Sequence, residues 1–182
     1  DLHLVRAGVT STLVQANGDD CIGALAVDAG GRLWVGAGHT LLAFDAQDGA
    51  LVEVSRRRLF AKIAALAPAP GVIWVGTEGA GLAALRPDSE RWYTVDDGLA
   101  HAHITTIQLR GEAVWVGHPS GTSLIRPEGV HALTEANGHP PGSVRALLPD
   151  DDDAVWIGTY GGGLARWHRG RFWRFTRANG LA

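Results

Sequence analysis

The chain has 182 residues, of which 46% are hydrophobic and 19% are charged, and its formal net charge at pH 7 is −3. A chain of this size buries enough surface to fold without disulfides or a structural metal, and the near balance of charges excludes a general nucleic-acid-binding surface. The single cysteine, Cys21, excludes an intrachain disulfide, and no apolar run reaches the roughly 18 residues that a membrane-spanning helix needs.

An apolar motif that contains a tryptophan and a glycine recurs four times along the chain. The copies lie at 33–36, 73–76, 114–117 and 155–158, and their tryptophans are 40, 41 and 41 residues apart. An apolar pair precedes each motif, and the spacing within the pair is the same in every unit, from Ile22 and Leu25 in the first to Val144 and Leu147 in the last. A period near 41 residues is typical of the blades of a β-propeller.

Each unit is predicted to contain four strands. The first two carry the apolar pair and the tryptophan motif, the third lies at 41–44, 82–85, 123–125 and 164–167, and the fourth lies at 51–54, 92–95, 130–133 and 172–175. Glycine turns are expected at Asn17-Gly18, Asp97-Gly98, Asn137-Gly138 and Asn179-Gly180. After the first unit, Arg57 and Arg58 stand where the other units have this turn.

The predicted fold is an all-β propeller with four complete four-stranded blades and an N-terminal half-blade. Residues 2–18 align with 164–180 at an offset of 162, so residues 1–17 are predicted to be the outer two strands of a partial blade. The predicted blades are 18–57, 58–97, 98–137 and 138–179, with the start of a further blade at 180–182, all in one domain. A closed four-bladed ring would leave the N-terminal hairpin without inner strands, so we expect an arc of a larger ring.

The two faces at the ends of such an arc are expected to be apolar and exposed. We expect them to pack against the remaining blades of a longer protein or against a second copy of the chain. A longer protein is also suggested by the first residue, Asp1, and by the absence of methionine from the sequence.

The last unit resembles the two-component regulator propeller repeat, in its segments 142–150, 155–166 and 172–181. The other units are similar in outline, although residues 38–40 and 118–120 replace the glycine-rich turn that the family usually places after its tryptophan motif. The resemblance implies a periplasmic sensor propeller of seven or more blades, in proteins where it precedes a transmembrane helix and a histidine kinase or cyclase. It also implies a bacterial input module that is not itself catalytic and binds a small molecule, such as a carbohydrate, with membrane contact only through segments outside this chain.

The candidate ligand contacts lie in the turns between the second and third strands and in the segments between blades. In propellers these loops gather on one face. The residues chosen on this basis are His39, Glu78, His118, Tyr160, Arg57, Arg58, His101, His103 and His139. His101 and His103 alternate on one short segment, which admits a metal site. Because the chain has only one cysteine and no His-Glu-x-x-His element, we predict no metal and no cofactor.

Other motifs favour structural roles. The glycines of 158–163 are assigned to a tight turn rather than a phosphate loop, because a strand follows them and not a helix. The basic and aromatic segment 166–177 is assigned to outer strands and not to a nucleic-acid surface. The leading hypothesis is therefore a sensor module. The alternatives are a protein interaction scaffold and a metal-dependent propeller lyase of the streptogramin-inactivating type.

Overall fold

The computed structural model describes residues 1–6, 9–14, 21–150 and 154–181. These residues form four four-stranded antiparallel sheets and one two-stranded sheet, which confirms the predicted propeller fold of four blades preceded by half a blade. The predicted turn at Asn17-Gly18 lies outside the described residues. In the part of the chain that is described, no helix is long and apolar enough to cross a membrane.

Each blade is an antiparallel meander that runs from an inner strand to an outer strand. The N-terminal hairpin contains β1 (Leu2–Arg6) and β2 (Val9–Val14). The first blade contains β3 (Ile22–Val27), β4 (Leu33–Ala37), β5 (Thr40–Gln47) and β6 (Ala50–Arg58). The second contains β7 (Ile63–Ala69), β8 (Val72–Thr77), β9 (Leu82–Leu85) and β10 (Glu90–Tyr93).

The third and fourth blades repeat this order. The third contains β11 (Thr106–Arg110), β12 (Ala113–His118), β13 (Gly121–Arg126) and β14 (Gly129–Leu133). The fourth contains β15 (Ser143–Pro149), β16 (Val155–Tyr160), β17 (Gly163–His168) and β18 (Arg171–Phe175). The second and third strands of a blade are apolar at consecutive positions because both of their faces are covered by neighbouring blades, as β9 shows with four buried residues.

Three short 3-10 helices lead from one blade to the next, where the sequence predicts glycine turns. They span Val95–Asp97, Glu135–Asn137 and Arg177–Asn179, and each is followed by a glycine with positive φ. The last helical residue accepts a hydrogen bond from the threonine that precedes the helix, at 2.9 Å from Thr94 N to Asp97 and 2.6 Å from Thr134 N to Asn137. After the first blade, β6 instead continues through Arg58.

Consecutive blades pack through their inner strands. Strand β7 packs on β3 and β4, β11 on β7, and β15 on β11 and β12. Within the described residues, β15 has no comparable contact with β3, so the blades form an open arc. Trp74 and Trp115 are 8% and 2% exposed, and they pack between neighbouring blades.

The glycine of each tryptophan motif is the contact point between one blade and the next. A Cβ placed on Gly36 would lie 2.5 Å from Ile63 Cγ2 of the following blade. The same contact recurs at the next two interfaces, at 2.4 Å from Gly76 to Ile104 and 2.7 Å from Gly117 to Val144. Because these distances are far below an ordinary carbon–carbon contact, only glycine lets a β-branched side chain sit there. We call this contact the glycine socket.

Candidate functional site

The turns between second and third strands and the segments between blades lie together on one face of the arc. Backbone hydrogen bonds connect the two sets. Among them, Glu78 N donates to Lys62 O at 2.9 Å, and Gly81 N donates to Ala102 O at 2.8 Å. We call this surface the loop face. It consists of the turns 38–39, 78–81, 119–120 and 161–162 and the segments 59–62, 94–105 and 134–142.

His118 lies beneath the loop face and is fully buried. Its Nδ1 lies 3.1 Å from the carbonyl oxygen of His103, and its Nε2 lies 2.8 Å from Ser123 Oγ. A carbonyl only accepts hydrogen bonds, so Nδ1 carries the ring hydrogen and Nε2 accepts from the serine. The same hydroxyl oxygen accepts a hydrogen bond from Ala100 N at 2.9 Å. This network fixes the segment between the second and third blades onto β13.

His139 makes the equivalent arrangement on the other side of the third blade. It is also fully buried. Its Nδ1 lies 2.6 Å from Pro140 O, and its Nε2 lies 2.9 Å from Thr122 Oγ1. Because Thr122 and Ser123 are adjacent on β13, their side chains point to opposite faces of the blade. One strand therefore anchors both inter-blade segments that flank it.

Burial keeps both of these imidazoles neutral at physiological pH. Burial, the largest cause, lowers the pKa of His118 to about 4, although the carbonyl of His103 raises it, and the nearby His101, His103 and His139 lower it further. Burial likewise lowers the pKa of His139, and the charge of Arg174 acts in the same direction. The prediction that these two histidines contact a ligand would require their hydrogen bonds to open, because all four ring nitrogens are already engaged.

A second group of predicted residues is exposed at the junction of the second and third blades. Glu78 forms an isolated antiparallel bridge with His103. His101 accepts a hydrogen bond through Nδ1 from His103 N at 2.9 Å. Glu78 and His101 are exposed, and His103 is half-buried. The structure thus brings three predicted residues together, with His118 directly below them.

In the fourth blade, the side chain of Tyr160 is 75% exposed. The guanidinium carbon of Arg145 lies 5.7 Å from the centre of the tyrosine ring, within the range of a cation–π contact. Arg145 directly follows the first residue of the apolar pair in its unit, where the other blades have Gly23, Ala64 and Thr105. Arg145 is not among the residues predicted to contact a ligand, although its departure from the small residues of the other blades is visible in the repeat.

The remaining predicted residues lie towards the first blade. His39 is half-buried, and its carbonyl accepts a hydrogen bond from Leu59 N at 2.8 Å. Arg58 is exposed at the end of β6, opposite Thr40. Arg57 forms an ion pair with Glu90 of the second blade. It therefore lines a groove of about 370 Å³ between the two blades instead of reaching the loop face.

The histidines of the loop face are candidate metal ligands by residue type. Over the residues that the structure describes, no three or more histidine, cysteine, aspartate or glutamate side chains are arranged to hold a metal ion. The loop-face histidines make hydrogen bonds to backbone groups and hydroxyls instead; these residues are His101, His103, His118 and His139. As it stands, the arrangement offers hydrogen-bonding and stacking groups on a rigid frame.

The fold and its loop face define a β-propeller built from repeats of about 41 residues. Residues 138–161 match the family model of the two component regulator propeller, which confirms the resemblance seen in the sequence. The match lies within the fourth blade and covers its first two strands. No curated protein matches the chain in sequence.

Several solved structures are similar in fold. An extracellular domain of a hybrid two-component system from B. thetaiotaomicron matches 88% of this chain with a TM-score of 0.69 and 19% identity, and the chain spans 25% of that domain. Virginiamycin B lyase from Staphylococcus aureus matches 95% of this chain with a TM-score of 0.71 and 16% identity, and the chain spans 61% of it. The computationally designed Ika4 protein matches 87% of this chain and 98% of its own, with a TM-score of 0.64 and 19% identity. At these identities the likeness shows the fold alone.

Proposed function

We propose that the chain is part of the extracytoplasmic input domain of a bacterial two-component-type signalling protein, that it binds a small solute, and that it is not itself catalytic. The observation that carries the proposal is the match of the fourth blade to the two component regulator propeller. The shared fold with extracellular domains of such systems supports it.

The loop face of the fourth blade is the best candidate contact surface. The exposed ring of Tyr160 offers a flat apolar surface, and Arg145 beside it offers a planar cation. Such a pair suits a solute with a ring and a carboxylate or hydroxyl groups, since aromatic faces stack on apolar ring faces and guanidinium binds carboxylate with two hydrogen bonds. The strands beneath hold both side chains on a rigid sheet, which lowers the entropy cost of binding.

The test is a titration of the chain with sugars, amino acids and small carboxylates, followed by calorimetry and by thermal unfolding. We expect at least one saturable heat and a matching rise in Tm with ligand concentration. Tyr160→Ala and Arg145→Ala should each weaken that binding by about tenfold, the effect of losing about 1.4 kcal/mol. Trp173→Ala is the matched control, because Trp173 is an exposed aromatic residue on the outer strand β18.

Two results would contradict this proposal. One is that none of the sugars, amino acids and carboxylates tested shows saturable binding. The other is binding that Tyr160→Ala and Trp173→Ala weaken equally. The second result would show that the contact surface lies elsewhere or that the mutations act through stability.

A lyase activity is the second candidate, because the fold likeness to virginiamycin B lyase covers nearly the whole chain and Glu78, His101 and His103 lie together on the loop face. The test is turnover of virginiamycin B by the purified chain. Turnover that His101→Ala and Glu78→Gln abolish would favour the lyase. Turnover at the level of buffer alone would leave the sensor module as the better proposal.

A further inference from the structure

The interface between the first and second blades contains the groove that Arg57 lines. The two blades meet tightly at the glycine socket of Gly36 and Ile63. Away from this contact, the interface opens into a groove of about 370 Å³, within the range of roughly 300 to 1,000 Å³ found for small-molecule pockets. The groove reaches the turns 28–32 and 70–71, which connect first and second strands and therefore lie at the end of the strands opposite the loop face.

The groove is open because one position of the outer strand differs from that of the other blades. In the second and fourth blades, Tyr93 and Phe175 contact the repeat tryptophan of their own blade, with ring centres 5.8 and 5.6 Å apart. In the third blade, Leu133 packs on the cluster that contains the tryptophan. Each of these residues pairs with the third-strand residue that itself pairs with the glycine of the tryptophan motif, and in the first blade this position is Arg57.

The repeat tryptophan of the first blade is consequently left partly open to the groove. Trp34 packs on the cluster that contains Ile73 of the second blade. It is nevertheless half-buried and lines the groove, whereas Trp74 and Trp115 are buried at the equivalent interfaces. Its Nε1 donates a hydrogen bond to Asp28 at 3.1 Å, and the same carboxylate accepts two backbone hydrogen bonds within its turn. The indole is therefore a fixed surface on which a flat ring can stack.

Three arginine side chains line the groove, together with a single aspartate. Two of the arginines are held by ion pairs. Asp45 accepts hydrogen bonds from Nε and Nη2 of Arg32 at 2.6 and 2.9 Å, and Glu90 accepts one from Nη2 of Arg57. Because a guanidinium has five N–H groups, both arginines keep donors for a ligand. Arg86 is exposed and forms no ion pair within the described part of the chain.

We propose that this groove is a second binding site, for a small organic anion in which a carboxylate is attached to a flat ring. The ring stacks on Trp34, and Pro68 and Val72 of the second blade complete the apolar wall. The carboxylate binds the guanidinium groups, with Arg86 as its main partner, since guanidinium and carboxylate form two parallel hydrogen bonds. The site is separate from the loop face and does not depend on the ligand proposed there.

The experiment titrates the chain with benzoate and naphthoate, and with their neutral amides, in a calorimeter. We expect saturable binding of at least one carboxylate, and binding of its amide that is weaker by about tenfold or more, because the charge-assisted hydrogen bonds are lost. Arg86→Ala should weaken binding of the carboxylate to a similar extent without unfolding the chain, since this side chain is exposed. The indole N–H signal that Trp34→Phe removes from the NMR spectrum should shift during the titration.

A matched pair of variants on β6 tests the position of the site. Arg57→Tyr gives the first blade the residue of the second, so it should fill the groove and abolish binding while Tm stays equal or rises. Arg56→Tyr is the control, because Arg56 also forms an ion pair with a glutamate, Glu53, and its side chain lies on the other face of the strand. It should leave the affinity within about twofold, since an exposed ion pair contributes little.

Four outcomes would overturn the proposal. The first is that neither carboxylate binds saturably, and the second is that the amides bind as tightly as the acids. The third is that Arg57→Tyr and Arg56→Tyr weaken binding equally, which would place the ligand outside the groove. The fourth is that Tyr160→Ala abolishes binding and Arg57→Tyr leaves it intact, because this result would assign the carboxylate to the loop face.

Discussion

The third and fourth blades share one four-stranded frame but differ in how much of it is covered. The third blade is packed on both sides, its Trp115 is 2% exposed, and its loop face is fixed by His118 and Ser123. The fourth blade has a half-buried Trp156 and a glycine turn beside the exposed Tyr160. The strand repeat therefore determines the frame, whereas the neighbouring blade and the turn residues determine which surfaces are open for binding.

The largest expected effect on stability distinguishes Trp115 of the third blade from Trp156 of the fourth. Trp115→Ala should lower the free energy of unfolding by about 3–5 kcal/mol, because it leaves a cavity between two blades. Trp156→Ala should cost about half as much, since one side of this indole faces the open end of the arc. Urea denaturation followed by circular dichroism measures both. Equal losses would show that the fourth blade is covered in solution.

The next effect concerns the loss of folding stability at acidic pH. The unfolded chain protonates His118 near pH 6.5, whereas the folded chain does so only near pH 4, so the stabilisation is present above pH 6.5 and is lost as pH falls towards 4. The loss should reach about 3 kcal/mol. His118→Thr should remove this part of the pH dependence, because the fourth blade has Thr159 at this position, hydrogen-bonded to Gly163 O at 3.0 Å. If the free energy of unfolding of the two proteins depends on pH with the same slope between pH 6.5 and 4, the buried neutral state of His118 is contradicted.

A smaller effect distinguishes the turn between the second and third strands of the fourth blade from the same turn of the third blade. Gly161 has a φ of +91°, and a Cβ added to it would have no other atom within 4 Å. Gly161→Ala should therefore cost about 1 kcal/mol through backbone strain alone. Ser120→Ala, in the turn of the third blade, is the control and should stay within about 0.5 kcal/mol. Thermal unfolding measures both variants, and a neutral Gly161→Ala would mean that the turn adopts another conformation.

The smallest effect concerns the contact between Arg145 and Tyr160. At an exposed position, a cation–π contact contributes about 0.5 kcal/mol. A double-mutant cycle with Arg145→Ala and Tyr160→Ala should give a coupling energy of this size. A coupling near zero would show that the two side chains do not stay together in solution, and would weaken the proposed contact surface.

The strands whose two faces are both buried could be predicted from the sequence. The predicted third strand at 82–85 coincides with β9, because four consecutive apolar residues leave little choice of boundary. The outer strands were less accurate: the segment predicted at 51–54 is part of β6, which spans Ala50–Arg58. An outer strand has one neighbour and one open edge, so polar residues such as Arg56 continue it without interrupting an apolar pattern.

The candidate site was harder to predict because its decisive contacts are not local in sequence. Repeat position placed His118 and His139 in loops of one face, but burial depends on Ser123 and Thr122, to which they hydrogen-bond. A signal was present in these two hydroxyl residues, which stand in a buried strand where the other blades have apolar side chains. Exposure of Tyr160 followed more directly from the glycines beside it.

The asparagine caps of the 3-10 helices also bear on the chemical ageing of the protein. An asparagine followed by glycine deamidates when the glycine nitrogen attacks the side-chain amide. At Asn137, that amide is held by hydrogen bonds to Thr134 N and Ala132 O, at 2.6 and 3.1 Å, while Gly138 N donates to Glu135 O at 3.1 Å. Folding therefore slows the attack. The second blade carries Asp97 at the same position, so an aspartate formed by slow hydrolysis at Asn137 is a residue that this cap already accepts.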